Sequence, residues 1–414
     1  MQLDNLTPFA ALGYAMQDVR GQHYRVVAIK VGYAIEHGAG GQSTLRVLDD
    51  KPVALTLADE HYGEAGLSSV RRESDLAPFK PRCDVIVLGH AHAPDGRPAQ
   101  QWPVRLRLSA PTGATLLDKS LAVSAPHTFR KGLMGWRIDK GTPVVRVPLR
   151  WEHSLGGTSR VPNPRHPMHP DEAQYLLDEV CLSNPLGCGW FEQRFFKLAD
   201  KAGQALPEAW PAPCVLSAGT RFEAPLQVAH PHEELDAAAM ARVARDYPRQ
   251  PAGFGFLGRA WAPRLARAGT YDAHWQDTRW PALPEDFDFA YWNGAPEDQQ
   301  IDWPPPDTTV ELWNLLDPAR APHGHVRLRL PGHRAFVMAW LAGAGGAPVP
   351  LPMNAVIDTF VIDADEGRIE LTWRCLVPEA LPLERLEARF ETDPTAPLLK
   401  LSHEPVQETP WPTT

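Results

Sequence analysis

The sequence predicts a mainly β protein, with β-sandwich-like units at both ends, joined by an irregular middle rich in proline and tryptophan that holds one or two short helices. Two observations lead to this prediction. Polar and apolar residues alternate in many short runs, which is the period of a half-buried strand. Proline occupies 43 of the 414 positions and is spread along the chain, and frequent proline interrupts helices.

Residues 1–150 are predicted to form a β-rich N-terminal unit. The strand candidates are residues 23–35, 85–88, 104–108, 116–123 and 144–149, which are rich in branched and aromatic side chains. The turn Pro94-Asp95-Gly96 separates the second candidate from the third and predicts a hairpin between them. Several short strands at this spacing are typical of a sandwich or an open barrel.

Residues 151–305 are predicted to be a loop region, rich in proline and tryptophan, that packs on the N-terminal unit. Its best helix candidate is residues 233–247, in which Leu235, Ala239, Val243 and Tyr247 recur every four positions until Pro248 ends the pattern. Long loops of this kind inside a compact region are usually functional or packed rather than free linkers.

Residues 306–402 are predicted to form a β-rich C-terminal unit. Its strand candidates are residues 310–315, 325–330, 335–341, 356–362 and 368–376, followed by a short helix or final strand at 381–390. Residues 335–357 carry no charge and are long enough to span a membrane. Three glycines and three prolines in this stretch favour two strands around a loop instead.

Composition narrows the function classes. The net charge of −9 argues against a nucleic-acid-binding protein, which would carry a basic domain. The N-terminus has neither a basic segment nor a continuous apolar segment, so no signal peptide is predicted. Five scattered cysteines do not resemble a disulfide framework. We therefore expect a cytoplasmic protein that contacts no membrane.

Sequence motifs for cofactors and nucleophiles are weak. His90 and His92 have the spacing of two side chains on one strand face, as in a metal pair, but solvated or hydrogen-bonded histidines are the simpler interpretation. No nucleophile elbow, phosphate-binding loop or dinucleotide fingerprint occurs, and the glycines of residues 253–258 are typical of a tight turn. No metal or cofactor is predicted.

The carboxylates of the middle region allow two interpretations. Asp286 and Asp288 could act with Asp272 as acid and base in a glycosidase, beside several tryptophans that could stack on sugars. Alternatively, they accept hydrogen bonds from local backbone N–H groups and fix turns. In that interpretation Asp272 caps a local segment, and Tyr271, Trp261 and Trp275 pack below the loops.

An ordered set of motifs resembles one bacterial family, called domain of unknown function 2169. The motifs are residues 72–81 (RESDLAPFKP) with Asp84 and 89–91; 147–152 (VPLRWE) with 156–157; 183–190 (SNPLGCGW); 253–255 with Arg259 and Trp261; 269–272 (GTYD) with Trp275; and 283–288 (LPEDFD) with Asn293, 295–296 and 298–300. The resemblance covers residues 1–305 most clearly.

The resemblance implies a protein encoded among type VI secretion genes, an adaptor or chaperone that binds a secreted effector and helps load it onto the VgrG spike. It supplies no catalytic residues, and no enzyme is expected. The alternatives are a carbohydrate-active or other hydrolase that uses aspartates of residues 269–300, and a structural accessory of the spike or baseplate. The residues predicted to build the structural or interaction motifs are Pro78, Phe79, Lys80, Pro81, Asn184, Pro185, Gly187, Trp261, Tyr271, Asp272, Trp275, Asp286, Asp288, Gln299 and Gln300.

Overall fold

A computed structural model describes residues 2–38, 43–133, 135–162, 176–192, 201, 203, 209–219, 227–228, 250–343 and 346–399. The mainly β prediction is confirmed, since 45% of the structure is strand and 8% is helix. Two α-helices lie entirely within the described ranges, α1 (Ala262–Leu265) and α2 (Ala273–Thr278), and both are in the middle region. The helix predicted at residues 233–247 lies outside the described residues.

The described strands run from Leu3 to Glu391. They are β1 (Leu3–Asn5), β2 (Ala10–Gln17), β3 (His23–His37), β4 (Ser43–Val47), β5 (Glu60–His61), β6 (Val70–Arg72), β7 (Cys83–Leu88), β8 (His90–His92), β9 (Gln101–Ser109), β10 (Thr115–Ser124), β11 (His127–Gly132), β12 (Gly135–Lys140), β13 (Arg146–Pro148), β14 (Leu155–Gly156), β15 (Thr158–Pro162), β16 (Leu176–Val180), β17 (Cys188–Gly189), β18 (Phe191–Glu192), β19 (Ala209–Pro211), β20 (Val215–Ser217), β21 (Gln227–Val228), β22 (Gln300–Ile301), β23 (Thr309–Trp313), β24 (His325–Arg329), β25 (Arg334–Leu341), β26 (Val349–Asn354), β27 (Val356–Asp363), β28 (Arg368–Pro378) and β29 (Leu383–Glu391).

Three larger sheets organise these strands. The seven-stranded sheet has the order β2-β3-β28-β27-β7-β22, with β4 also paired to β3. The five-stranded sheet has the order β20-β10-β9-β23-β24, and the four-stranded sheet has the order β1-β29-β25-β26. Each of them combines strands from both ends of the chain. The β-rich terminal regions are therefore joined through shared sheets, and the boundaries at residues 150 and 305 remain sequence-based predictions.

One apolar core connects the three larger sheets. Val27 and Ile29 of β3, Leu106 of β9 and Val337 of β25 all belong to the same buried cluster. All four side chains are completely buried, so water does not reach them. Burial of this apolar surface is the main stabilising contribution to the fold.

Most predicted strands are confirmed, and one predicted pairing is wrong. Residues 381–390 lie largely in strand β29, and residues 335–357 form β25 and β26 around a loop, as proposed. The hairpin expected around Pro94-Asp95-Gly96 does not form, because β7 lies in the seven-stranded sheet and β9 in the five-stranded sheet. The turn is a single 3-10 turn on a crossing between sheets. No helix in the described ranges is long and apolar enough to cross a membrane.

Candidate functional site

The second face of the seven-stranded sheet is polar but buried. On β28, Glu370, Thr372 and Arg374 alternate with core residues, yet each is at most 3% exposed. The alternating pattern predicts a half-buried strand with its polar face in solvent. That prediction is wrong, because the polar side chains of this strand are buried. Segments around residues 70–80 and 254–299 cover this face instead. We call its ionisable residues the charged layer: Lys30, Arg72, Asp75, Lys80, Asp84, Asp358, Asp363, Glu370 and Arg374.

The first part of the charged layer joins strand β3 to the RESD motif. Lys30 Nζ lies 2.9 Å from Asp75 Oδ2 and 3.6 Å from Glu370 Oε2. Arg72 pairs with both Glu370 and Asp363. Burial by itself would raise the pKa of Asp75, but Lys30 and the hydrogen bonds from Thr56 and Thr372 outweigh it and hold that pKa below its ordinary value.

The second part places Lys80 of the predicted motif inside the protein. Its Nζ donates to Asp84 Oδ2 at 2.7 Å and to Thr359 Oγ1 at 2.9 Å. Asp84 also accepts hydrogen bonds from the backbone N–H groups of Gly294 and Ala295. The Lys80–Asp84 pair therefore ties strand β7 to the loop after residue 292, and it is not available to a ligand at the surface.

The third part contains a buried arginine. Arg374 pairs with Asp358, and both side chains are buried. Its Nη1 also donates to Tyr14 Oη and to the Ala77 carbonyl oxygen. Burial raises the pKa of Tyr14 to about 12, although Arg374 opposes the shift. The guanidinium thus holds the LAPF segment, strand β2 and strand β27 together.

Phe79 and Gln299 pack at the edge of the layer. Phe79 makes edge-to-face contacts with Phe289 and Trp303 at ring-centroid distances of 5.9 and 6.4 Å. Gln299 is fully buried, and its Nε2 donates to the carbonyl oxygens of Val85 and Phe254. Gln300 donates to the Ala295 carbonyl oxygen at 2.8 Å. Pro78 is buried, and Pro81 is half-buried beside it.

The SNPLGCGW motif closes around a buried asparagine. Asn184 Nδ2 donates to the carbonyl oxygens of Trp151 and Leu155 at 2.9 and 3.0 Å. Gly156 has φ of +151°, and a Cβ there would overlap the Asn184 carbonyl oxygen. Gly187 is equally constrained, because a Cβ would lie 2.5 Å from Asn184 Nδ2. Pro185 is half-buried in the same turn. These residues fix a crossing of two chain segments.

Trp261 is a structural residue at the start of α1. It is 7% exposed and makes an edge-to-face contact with Trp151 at 5.8 Å. Trp151 Nε1 donates to the Phe256 carbonyl oxygen at 2.8 Å. The prediction that Trp261 packs below the loops is therefore confirmed.

The three aspartates of the middle region accept local hydrogen bonds. Asp272 caps α2 by accepting from the Trp275 N–H at 2.8 Å. Asp286 accepts from both the N–H and the hydroxyl of Thr270, and Asp288 accepts from the Ala290 N–H. The Thr270 hydrogen bonds lower the pKa of Asp286, whereas a glycosidase acid needs a raised pKa. The contacts are those of turn-fixing carboxylates.

Two exposed aromatic rings of this loop flank a third, half-buried ring. Tyr271 is 53% exposed and Trp280 is 69% exposed, and Trp275 lies half-buried between them. Trp275 makes edge-to-face contacts with Tyr271 at 4.7 Å and with Trp280 at 5.7 Å. We call these three residues the aromatic patch. The prediction that Tyr271 packs below the loops is wrong, because its ring lies at the surface just before α2 begins at Ala273.

The backbone beneath the aromatic patch is held at several points. Arg279 donates to the carbonyl oxygen of Leu283 and, across the molecule, to that of Val19. Trp275 Nε1 donates to the Ala282 carbonyl oxygen at 3.0 Å. Gly269 has φ of +79°, and a Cβ there would lie 2.9 Å from Pro284. The loop is thus fixed at both ends, and the rings are displayed on a rigid support.

The structure divides the predicted site residues into two groups. The residues of the charged layer and of the buried turns belong to the interior. Among the predicted site residues, those of the loop 269–288 form the exposed group. The sequence-based set omitted Trp280, the most exposed ring. The run from Asp277 to Pro284 lacks apolar periodicity, and this signal could have indicated exposure of its tryptophan.

A family model with the description "Uncharacterized protein conserved in bacteria (DUF2169)" matches residues 20–374. The chain belongs to this family. The match begins before β3 and ends at Arg374, so the family's model covers the charged layer, the Asn184 crossing and the aromatic patch. No curated protein and no solved structure matches the chain.

Within the described ranges, no group of three or more His, Cys, Asp or Glu side chains is arranged to hold a metal ion. His90 of the predicted H-x-H pair instead contacts Asp365, with Nδ1 2.9 Å from Oδ2. Exposed aromatic rings on a rigid loop are suited to contact with another macromolecule.

Proposed function

We propose that the protein is a non-catalytic adaptor or chaperone that acts in the cytoplasm, binds a type VI secretion effector and helps load it onto the VgrG spike. The proposal is supported by family membership, together with what the motif resemblance implies. The observation that carries it is the aromatic patch, in which the exposed rings of Tyr271 and Trp280 flank Trp275 on a loop that other motif residues hold in place.

The aromatic patch has the properties of a binding hot spot. Trp and Tyr contribute most of the energy at many protein interfaces, because their large rings bury much apolar area. Exposed apolar groups of this kind are unfavourable in water unless a partner covers them. The hydrogen bonds of Arg279 and Asp272 fix the loop before binding, which lowers the entropy lost on association.

The residues around the aromatic patch indicate which kind of partner surface would fit it. Asp272, Asp277 and Asp286 are exposed around the rings, and Glu285 is 81% exposed beside Arg279. Carboxylates at the rim of an interface favour a partner with basic residues at matching positions. The effector surface that fits is therefore an apolar pocket with a basic rim.

Binding of the purified protein to the effector and VgrG encoded beside its gene tests the proposal. We expect a stable complex with the effector, and Trp280→Ala or Tyr271→Ala should weaken it by about tenfold or more. Leu67→Ala is the matched control, because Leu67 is 71% exposed outside the aromatic patch. Binding to VgrG without the effector would favour a structural accessory of the spike, and binding to neither would reject the proposal.

A further inference from the structure

The seven-stranded sheet ends in an edge strand that carries no charge. Strand β2 pairs with β3 on one side, and in the described part of the chain no strand pairs with its other side. Its eight residues (AALGYAMQ) include neither a proline nor a charged side chain. An unpaired edge of this kind can pair with another chain, and proteins usually block such edges with lysine, proline or a very short strand.

The other edge strands of the three larger sheets carry such a block. Strand β26 contains Pro350 and Pro352, and β24 contains Arg327 and Arg329. Strand β4, which is paired to β3, contains Arg46. Strands β1 and β20 have three residues each, and β22 has two. Among the described strands, β2 is therefore the long and uncharged edge.

Every second residue of β2 turns its backbone groups toward the open edge. The Asp18 N–H donates to the Gln22 carbonyl oxygen at the start of the ladder with β3, so alternation along the ladder joins the even-numbered residues of β2 to β3. The residues whose N–H and C=O groups point away from β3 are Ala11, Gly13, Ala15 and Gln17. Among the described residues, these groups form no hydrogen bond, and residues 13 and 15 are exposed.

Both faces of β2 are contacted from within the molecule. A Cβ at Gly13 would lie 3.3 Å from Leu3 Cβ, which places β1 against one face. On the other face, Tyr14 Oη donates to the Ala77 carbonyl oxygen at 2.6 Å. The free hydrogen-bonding groups thus lie along the edge between the two faces. A partner that satisfies them must supply a strand.

We infer that β2 pairs in antiparallel orientation with β2 of a second copy of this chain. In a two-fold symmetric pair, each copy contributes the same surface. A register that joins residue 11 to residue 17 and residue 13 to residue 15 of the second copy gives all four free positions a partner. The same register places Leu12, which is 36% exposed, opposite Met16 of the second copy.

The absence of charge on β2 favours a second copy as the occupant. Like charges directly opposite each other destabilise a strand pair, and in this register Asp18 lies opposite Ala10 of the second copy. Arg25 lies one strand further in, on β3 opposite Ala15. It is therefore at least three strand spacings, about 14 Å, from its counterpart. The net charge of −9 on each copy acts over longer distances, where salt screens it.

Size-exclusion chromatography with multi-angle light scattering tests the inference. At about 10–100 µM, the wild type should have twice the mass of the chain. Raising NaCl from about 50 to 500 mM should not dissociate the dimer, because no ion pair holds it together. Ala15→Pro removes an N–H group at the open edge and no hydrogen bond to β3, so it should weaken dimerisation by about tenfold or more.

Ala15→Thr is the matched control, because threonine keeps the N–H group and favours strands. It should dimerise like the wild type. Ala15→Lys repeats the test with a charge that blocks the edge, in case circular dichroism shows that the proline variant folds poorly. A monomeric wild type at the highest concentration would overturn the inference. Equal dissociation of Ala15→Thr, or a dimer that both Ala15→Pro and Ala15→Lys leave intact, would also overturn it.

Effector binding separates this inference from the proposed function. A monomeric wild type whose effector binding is lost in Ala15→Pro would replace the second copy by a segment of the effector. Dimerisation is measured without an effector, so the inference can fail while the proposed function holds, and the reverse.

Discussion

Lys80 donates from Nζ to Asp84 Oδ2 at 2.7 Å, and both side chains are buried under the loops of the middle region. Asp84 in turn accepts from the backbone of Gly294 and Ala295. One carboxylate thus connects the APFKP motif, strand β7 and a loop more than two hundred residues later in the chain. The charge of Lys80 therefore stabilises the interior of the protein, and the exposed aromatic patch lies in another part of the chain.

Lys80→Met should destabilise the protein strongly, because it leaves Asp84 buried without its cation. Removing one partner of a buried ion pair typically costs about 3–5 kcal/mol. Urea denaturation measures the change in the free energy of unfolding. Arg82→Met is the matched control two positions along the chain, because Arg82 pairs with Asp302, which is 99% exposed, and such surface pairs contribute less than about 1 kcal/mol. Similar losses in the two variants would contradict the internal role of Lys80.

Asp75→Asn should make the protein less dependent on pH in the acidic range. The folded-state pKa of Asp75 is lowered, so its ionised form stabilises the fold above the pKa of the unfolded chain, about 3.9. That stabilisation is lost as the pH falls through the lower folded-state pKa. The stability difference between wild type and Asp75→Asn should therefore be largest near neutral pH and shrink below about pH 4.

Denaturation midpoints from pH 7 down to the acidic range measure this difference. Asp302→Asn is the control, because its side chain is 99% exposed, and it should follow the wild type at every pH. A gap between wild type and Asp75→Asn that stays constant down to the lowest pH would contradict the lowered pKa.

Asp272→Ala should lower the free energy of unfolding by about 1 kcal/mol, because it removes the N-cap of α2. Asp272→Asn should retain most of that stability, since Asn is also a good N-cap. Thermal melting compares the two variants. A hydrolytic activity of the wild type would decide the role of Asp272. If Asp272→Asn abolishes such an activity while keeping its melting temperature and effector binding, the hydrolase alternative is correct.

Trp261→Ala and Trp280→Ala should separate structural from surface tryptophans. Trp261 is 7% exposed against Trp151, and loss of such a ring typically costs about 3–5 kcal/mol. Trp280 is 69% exposed, so its removal should change stability by less than about 1 kcal/mol. Chemical denaturation of both variants measures the difference. A large loss for Trp280→Ala would mean that the aromatic patch is part of the fold's support.

The strand positions were largely predictable because each depends on a local pattern. Residues 104–108 alternate and form β9, and residues 368–376 form most of β28. The sequence did not predict whether the polar side of a strand is exposed or buried. Arg105 and Arg107 are partly exposed as expected, whereas Glu370 and Arg374 are buried by loops from another region. Alternation fixes which residues share a face and says nothing about what covers that face.

The candidate site was predictable in its chemistry and only partly in its location. Asp272 and Asp288 cap local turns, as their neighbours in sequence indicate, because such hydrogen bonds span only two or three residues. The exposure of Tyr271 was not predictable, since it depends on the tertiary placement of its loop, which Arg279 joins to the distant Val19 carbonyl oxygen.

The sequence by itself therefore determined the mainly β class, most strand positions, the local caps and the family. The tertiary structure decided that strands from the two ends share sheets, that the charged motif lies inside, and that the rings of residues 271–280 face solvent. The physical reason is the separation along the sequence of the residues that interact. Backbone preferences and caps act over a few residues, whereas strand pairing and burial join residues hundreds of positions apart, such as Arg72 and Glu370.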